Sequence, residues 1–389
     1  MRTYILAATI LSAVLGTTAG AQGAPAIVPS ATVSRADLAA AYIRMDKAYT
    51  AATATMDDTT RAMVNRQFDR STLSFFMGRF AATLSTIDSA TNAITTTPFV
   101  PPPPSSRVVN GRIASMWRDG FLARLAKIDT TGPLAQAFVS ARARAQLLVD
   151  EPSRERSAEF QSDAAALARD LAREIGVLER GRNPYVGQAW DAWRTFRGAN
   201  GTLIPFRIVA PSAAATSGAP VPVVIALHGA GGDENMFVDA YGDGVLAKMT
   251  LAANAILVTP ATTQFGASPE HFDSLMAVLR SEYRVNNGRI YVIGHSMGAG
   301  VAAKLAQWRP TQITAVACLS GGSAVTVPNA PAMLYIGASL DPIIPAKVVK
   351  AAATATPKAV YEELPNEGHT LMVENGVRRA LPWLLTHRP

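Results

Sequence analysis

The chain has 389 residues, 49% of them hydrophobic and 17% charged, enough for one or two folded domains with a sizeable core and too apolar for domain-scale disorder. Its formal charge of +7 comes from scattered basic residues, not from blocks of like charge. Without a dense basic stripe or interleaved aromatic platforms, nucleic acid is not an expected partner.

The first residues have the pattern of an export signal. Arg2 gives a positive start, and residues 4–15 form an apolar run too short to span a bilayer. Ala19-Gly20-Ala21 fits a small-x-small cleavage site, so residues 1–21 are expected to be a signal peptide cleaved after Ala21. The mature protein is then expected to be secreted or periplasmic. No later stretch is apolar enough for a transmembrane segment. Cys318 is the only cysteine, so no disulfide can form within the chain.

Residues 22–183 read as an all-α region. Leu38, Tyr42, Met45, Tyr49, Ala52 and Met56 recur at steps of four and three. Phe76, Phe80, Leu84 and Ile87 do the same, as do Leu134, Phe138, Ala141, Ala145 and Leu148, and then Leu167, Leu171, Ile175 and Leu178. Each set predicts one apolar helix face. Pro98 and the prolines at 101–104 cannot continue a helix and predict a stiff connector between two helical groups. No histidine or cysteine precedes His228, so this half cannot hold a histidine-based catalytic centre.

The pattern changes near Asn183-Pro184. Residues 193–197 and 203–209 are β-prone and flank Ala199-Asn200-Gly201, which predicts a hairpin. Strands are predicted over 223–227, 255–258, 289–293, 314–319, 332–336 and 359–364. Helices are predicted over 272–283, 298–308, 345–355 and 371–385. Strands alternating with helices imply an α/β fold with a mostly parallel sheet covered on both faces, over residues 184–389. Between Ser320 and Pro331 there is too little chain for a crossover helix, so a bare loop is expected there, with no inserted lid.

The chemistry concentrates in this second half. Gly294-His295-Ser296-Met297-Gly298 fits G-x-S-x-G, in which a serine stands on a tight strand-to-helix turn and glycines let neighbouring backbone pass. A strand before it and an Ala-rich helix after it supply the context that this short pattern needs. His369, in Glu367-Gly368-His369-Thr370, follows the last strand and is the expected base. Asp341, at a strand end before Pro342, is the expected orienting acid, with Glu363 and Glu367 as alternatives; a turn cap is its plainer reading. An oxyanion would need two amides, expected from Met297 and from Ala230 in His228-Gly229-Ala230-Gly231-Gly232, with Gly231 as second choice. The same loop lacks the lysine or spacing of a phosphate cradle.

The other candidates are weaker. His228 reads as a brace for the oxyanion loop, and no metal site is expected. His295, Phe237 and Tyr241, with Met236, are candidates to line a pocket, ordinary packing being an equal reading. His271 and His387 read as surface residues, and Cys318 as an inert buried thiol.

These motifs together, with Asp341-Pro342-Ile343-Ile344-Pro345 and Gly368-His369, resemble the α/β-hydrolase superfamily. The chain is similar in them to lid-less serine esterases of the polyhydroxybutyrate depolymerase/feruloyl esterase-like and dienelactone hydrolase/carboxylesterase-like groups. The resemblance spans residue 184 to the C-terminus. It implies a Ser296–His369–Asp341 catalytic triad, an acyl-enzyme, small-molecule or polymeric ester substrates and no cofactor. The N-terminal helices are no part of that pattern, and either a cap over the site or a binding module is open. Two other functions compete: a serine peptidase of the prolyl-oligopeptidase type, and a cell-envelope polymer-binding protein on a hydrolase-like scaffold.

Overall fold

The computed structural model describes residues 33–95, 111–129, 132–149, 163–216 and 218–388. The expected signal peptide and proline connector lie outside the described residues. The described residues belong to one compact unit.

Among the described residues, six α-helices come first: α1 (Arg35–Ala52), α2 (Asp58–Phe76), α3 (Phe80–Asn92), α4 (Gly111–Leu125), α5 (Ala135–Ala145) and α6 (Ala164–Leu178). α1 starts with a capping box, the Ser34 side chain accepting from the Asp37 amide and the Asp37 carboxylate from the Ser34 amide. The periodic set that begins at Phe76 is not one helix. α2 ends at Phe76, and Gly78, with φ +70°, turns the chain before α3 begins. α2 itself carries no continuous apolar stripe, because Asn65, Asp69 and Ser71 are buried beside Val64 and Phe68.

The rest of the chain builds one eight-stranded sheet. Its strands are β1 (Trp190–Arg197), β2 (Leu203–Ala210), β3 (Val221–Leu227), β4 (Ile256–Pro260), β5 (Val285–His295), β6 (Ala315–Leu319), β7 (Ala332–Ala338) and β8 (Val360–Leu364). Their order is β1-β2-β4-β3-β5-β6-β7-β8. The β1–β2 hairpin and the β2–β4 pair are antiparallel, and the other neighbours are parallel. The main helices among them are α7 (Tyr241–Ala252), α8 (Pro269–Glu282), α9 (Met297–Trp308), α10 (Ala346–Thr354) and α11 (Met372–Thr386). The link from β6 to β7 is a bare loop, as its length requires.

All seven residues of β3 are buried, which is why it reads as a continuous apolar run. Alternate residues feed two cores. Val223, Ile225 and Leu227 pack with α8, α9 and α10 on one face. Val224 and Ala226 pack with α7 and α11 on the other.

The two helical groups cover different parts of this body. α5 covers the edge strand β1, where Arg144 donates to the Trp193 carbonyl at 2.7 Å and Gln136 to the Thr195 carbonyl at 3.0 Å. Such cover removes an open edge that would pair with another chain. α1, α2 and α3 form their own apolar cluster around Met45, Tyr49, Val64, Phe68 and Ile87, and Leu371 from the base of α11 joins it. This second group therefore sits at the carboxyl ends of the parallel strands, where open α/β sheets bind ligands.

Beneath α5, Arg194 is fully buried and forks onto Glu282 at 2.6 and 2.8 Å, with its guanidinium 3.7 Å from the Tyr185 ring centre. Removing one partner of such a pair strands a buried charge, while an apolar replacement of both does not. Arg194→Met is expected to destabilise the protein by about 3–5 kcal/mol, and the Arg194→Met/Glu282→Leu double variant by clearly less, both measured by denaturant unfolding.

Candidate active site

Ser296 lies between β5 and α9 with φ 55° and ψ −116°, a conformation that side-chain-bearing residues rarely hold. Close packing enforces it. A Cβ on Gly298 would lie 1.9 Å from the Leu227 carbonyl oxygen, and one on Gly294 would lie 2.2 Å from the Gly298 oxygen. Both glycines of the motif are thus steric requirements of the turn. The Ser296 amide donates to the Leu319 carbonyl at 2.9 Å, tying the elbow to β6.

The turn brings three distant side chains into line. Ser296 Oγ is 2.9 Å from His369 Nε2, and His369 Nδ1 is 2.7 Å from Asp341 Oδ2. With Nδ1–H donating to the carboxylate, Nε2 is left to accept the serine proton. Asp341 also serves as the turn cap that its sequence suggests: Oδ1 accepts from the amides of Ile343 and Ile344, each at 2.8 Å. The alternative acids are elsewhere. Glu363 accepts from Tyr361 on β8, and Glu367 accepts from Tyr49, Arg61 and Asn375.

The loop after β3 runs alongside. A Cβ on Gly229 would come within 3.3 Å of Ser296 Cβ. Among the described residues, the amides of Ala230 and Met297 have no hydrogen-bond partner within the chain. His228 braces this loop: its Nε2 accepts from the Thr262 amide at 3.0 Å, and its Nδ1 donates to the Gly229 carbonyl at 2.8 Å. Burial pushes its pKa down to about 4.

His295 is a tie between loops. Its Nε2 donates to the His369 carbonyl at 2.9 Å, and its Nδ1 accepts from Tyr241 at 2.8 Å. The Tyr241 oxygen also lies 3.3 Å from the Gly229 amide, which donates to it. Desolvation pushes the His295 pKa down to about 3, consistent with a neutral ring used at both nitrogens. Tyr241 begins a turn in which Gly242, Asp243 and Gly244 all have positive φ. Asp46 of α1 closes that turn by accepting from the amides of Gly242 at 2.9 Å and Asp243 at 2.7 Å.

A cavity of about 440 Å³ opens onto Ser296. Its floor includes Gly229, Ala230, His295, Ser296 and His369. Its roof is the helical group: Leu38, Ala39 and Ile43 from α1, and Phe68, Thr72 and Phe75 from α2. Tyr241 and Met236 line it, but Phe237 does not. Phe237 is 1% exposed and packs edge-on against Tyr241 at 4.8 Å, so it supports the pocket wall from behind. His271 is also not a surface residue: it is buried, with Nδ1 donating to the Gln264 carbonyl at 2.8 Å. Cys318 is fully buried, and desolvation pushes its thiol up to about 12.

The sequence reading missed Asn65 and Asp69. Asn65 Oδ1 accepts from the Gly368 amide at 2.7 Å, and both Asp69 oxygens accept from the His369 amide, at 3.1 and 3.0 Å. Polar residues spaced four apart on a helix read as a solvated face, and nothing in the sequence says that this face is covered. Burial raises the Asp69 pKa to about 7, against the lowering effect of the His369 amide. A carboxyl raised in the folded state contributes stability at low pH that is lost as pH rises through its folded value. The stability of the wild type relative to Asp69→Asn should therefore fall between about pH 4 and 7, by up to about 1.4 kcal/mol per pH unit, and level off above, read from denaturant midpoints across pH.

No protein-family model matches the sequence, and no curated protein is similar to it by sequence. Solved structures do show likeness. A thermostable esterase is 23% identical with TM-score 0.42, over 51% of this chain and 63% of that one. The S-formylglutathione hydrolase of Staphylococcus aureus is 11% identical with TM-score 0.43, over 50% of this chain and 98% of that one. A ferulic acid esterase is 14% identical with TM-score 0.42, over 51% and 98%. The sheet order, the strained serine turn after β5 and the histidine loop after β8 are those of the α/β-hydrolase fold, and the chain has that fold.

Proposed function

We propose that the chain is a serine hydrolase that cleaves carboxylic esters through an acyl-enzyme on Ser296. The observation that carries this reading is the unbroken line of hydrogen bonds from Ser296 through His369 to Asp341, on a strained turn that opens into a cavity. In the first step His369 takes the Ser296 proton as Oγ attacks the ester carbonyl, and Asp341 stabilises the imidazolium. The amides of Ala230 and Met297 receive the oxyanion. His369 then gives its proton to the departing alcohol. In the second step water, losing a proton to His369, attacks the acyl group, and His369 returns that proton to Ser296 Oγ as the acid is released. The apolar roof suits an uncharged acyl or alkoxy group more than a charged one.

A fluorophosphonate probe is expected to label Ser296, located by mass spectrometry, and Ser296→Ala is expected to abolish both labelling and hydrolysis of short p-nitrophenyl esters. Labelling at another serine would overturn the assignment. Asp341→Asn keeps the oxygen that caps the turn at Ile343 and Ile344 but sets an N–H donor against His369 Nδ1. A kcat loss of about 10³–10⁴-fold with the fold intact is expected, by the tautomer argument known for such triads.

Roofing by α1 sets the size of group admitted. Ala39→Trp should lower kcat/KM for hexanoyl or longer p-nitrophenyl esters at least tenfold more than for the acetyl ester, measured side by side. Equal losses across the series would show that this part of the cavity does not hold the acyl chain.

A further inference from the structure

Three residues spaced four apart on α2 meet three successive residues of the histidine loop. Arg61 donates to Glu367 at 3.1 Å, Asn65 accepts from Gly368 at 2.7 Å, and Asp69 accepts from His369 at 3.0 and 3.1 Å. Spacing of four puts them on one helix face. Asn65 and Asp69 are 0% and 2% exposed, so these contacts are made without competing water. The loop is shaped for them. A Cβ on Gly368 would lie 2.3 Å from Asp69 Oδ2 and 3.2 Å from Asn65 Oδ1, so glycine is what lets the carboxylate sit on this backbone.

The contacts bear on the reacting atoms. The His369 ring is held by Asp341 and Ser296, and its carbonyl by His295. Its amide is held only from α2 among the described residues. Holding the N–H on one side of the Cα and the carbonyl on the other fixes the Cα from which the imidazole hangs, and displacement of a reacting group by about 1 Å costs about a hundredfold in rate.

We propose that Asp69, seconded by Asn65, is a positioning residue for His369, so that the N-terminal helices are a working part of the active site and not only its roof. This rests on the hydrolase reading above. Asp69 acts through its acceptor oxygens on the loop backbone and touches no substrate. Because His369 moves the proton in both acylation and deacylation, a displaced base slows both steps.

The test compares wild type, Asp69→Asn, Asp69→Ala and Asn65→Ala by burst and steady-state kinetics on p-nitrophenyl acetate. Circular dichroism and thermal midpoints report that each variant is folded. Asp69→Ala should lower the burst and steady-state rates by the same factor, ten- to a hundredfold, with KM changed less than threefold. Asp69→Asn keeps one acceptor and should lose less, and Asn65→Ala should lose least. A second readout does not need activity: the downfield proton between His369 and Asp341 in the NMR spectrum should be sharp in the wild type and broadened in Asp69→Ala. Folded Asp69 variants that keep wild-type kcat and a sharp resonance would overturn the proposal. So would a loss confined to KM. A wild type with the resonance intact, its broadening in Asp69→Ala, and no ester hydrolysis would instead retain the positioning role and overturn the hydrolase reading.

Discussion

The hydrogen bond between Ser296 and His369 joins residues 73 positions apart, and the architecture is organised around keeping that distance at 2.9 Å. One end is fixed by sterics. The serine turn is wedged between β3 and α9 by glycines that no larger residue could replace. The other end is a loop, which sterics alone do not hold. It is fixed by polar contacts from every side: Asp341 on the ring, His295 on the carbonyl, Asp69 on the amide. The sheet supplies the first kind of constraint and the N-terminal helices part of the second.

That division explains what was legible in the sequence. Steric and periodic constraints leave a signature at the residue that obeys them. Gly294 and Gly298 mark the turn, the apolar run of β3 marks a doubly covered strand, and the stripe from Leu167 to Leu178 marks α6. Asp341 and His369 were legible because they occur at strand ends in the right order. Asn65 and Asp69 were not, because a polar side chain looks the same whether it faces water or a buried amide. α2 escaped for the same reason, its inner face mixing Val64 and Phe68 with Asn65, Asp69 and Ser71. The Phe76–Phe80 pair failed in the opposite way: apolar spacing carried through a glycine turn that ends one helix and starts another.

Two carboxylates of the helical group do the same physical work in two places. Asp46 closes the left-handed turn at Gly242 and Asp243, and Asp69 closes the loop at His369. Each meets backbone N–H groups that would otherwise be buried without acceptors, at a cost of about 1–3 kcal/mol apiece. Burial raises both carboxyls, Asp46 to about 6 and Asp69 to about 7. The amides at His369, and at Gly242 and Asp243, offset only part of that desolvation. The turn that Asp46 closes carries Tyr241, whose hydroxyl holds His295 and the Gly229 amide. Asp46 therefore bears on the Gly229 loop and Asp69 on the His369 loop, the two loops that meet at Ser296.

This anchoring bears on which parts of the cavity wall can move. Swinging the whole helical layer away would break the contacts of Asp46, Tyr49, Arg61, Asn65 and Asp69 together. At roughly 1 kcal/mol for each neutral bond, and more for each charged one, that is comparable to the stability of a domain. The roof is thus a fixed wall around His369. Among the described residues, parts without such ties are at the rim, where Arg35 lies over Phe75 and where Phe76 and Met77 are exposed next to the Gly78 turn. Phe75 itself reaches Gly231 in the loop after β3, where a Cβ would come within 2.7 Å of its ring. Movement of this corner would open the cavity over Ala230 and Ser296 while leaving the hydrogen bonds at His369 intact.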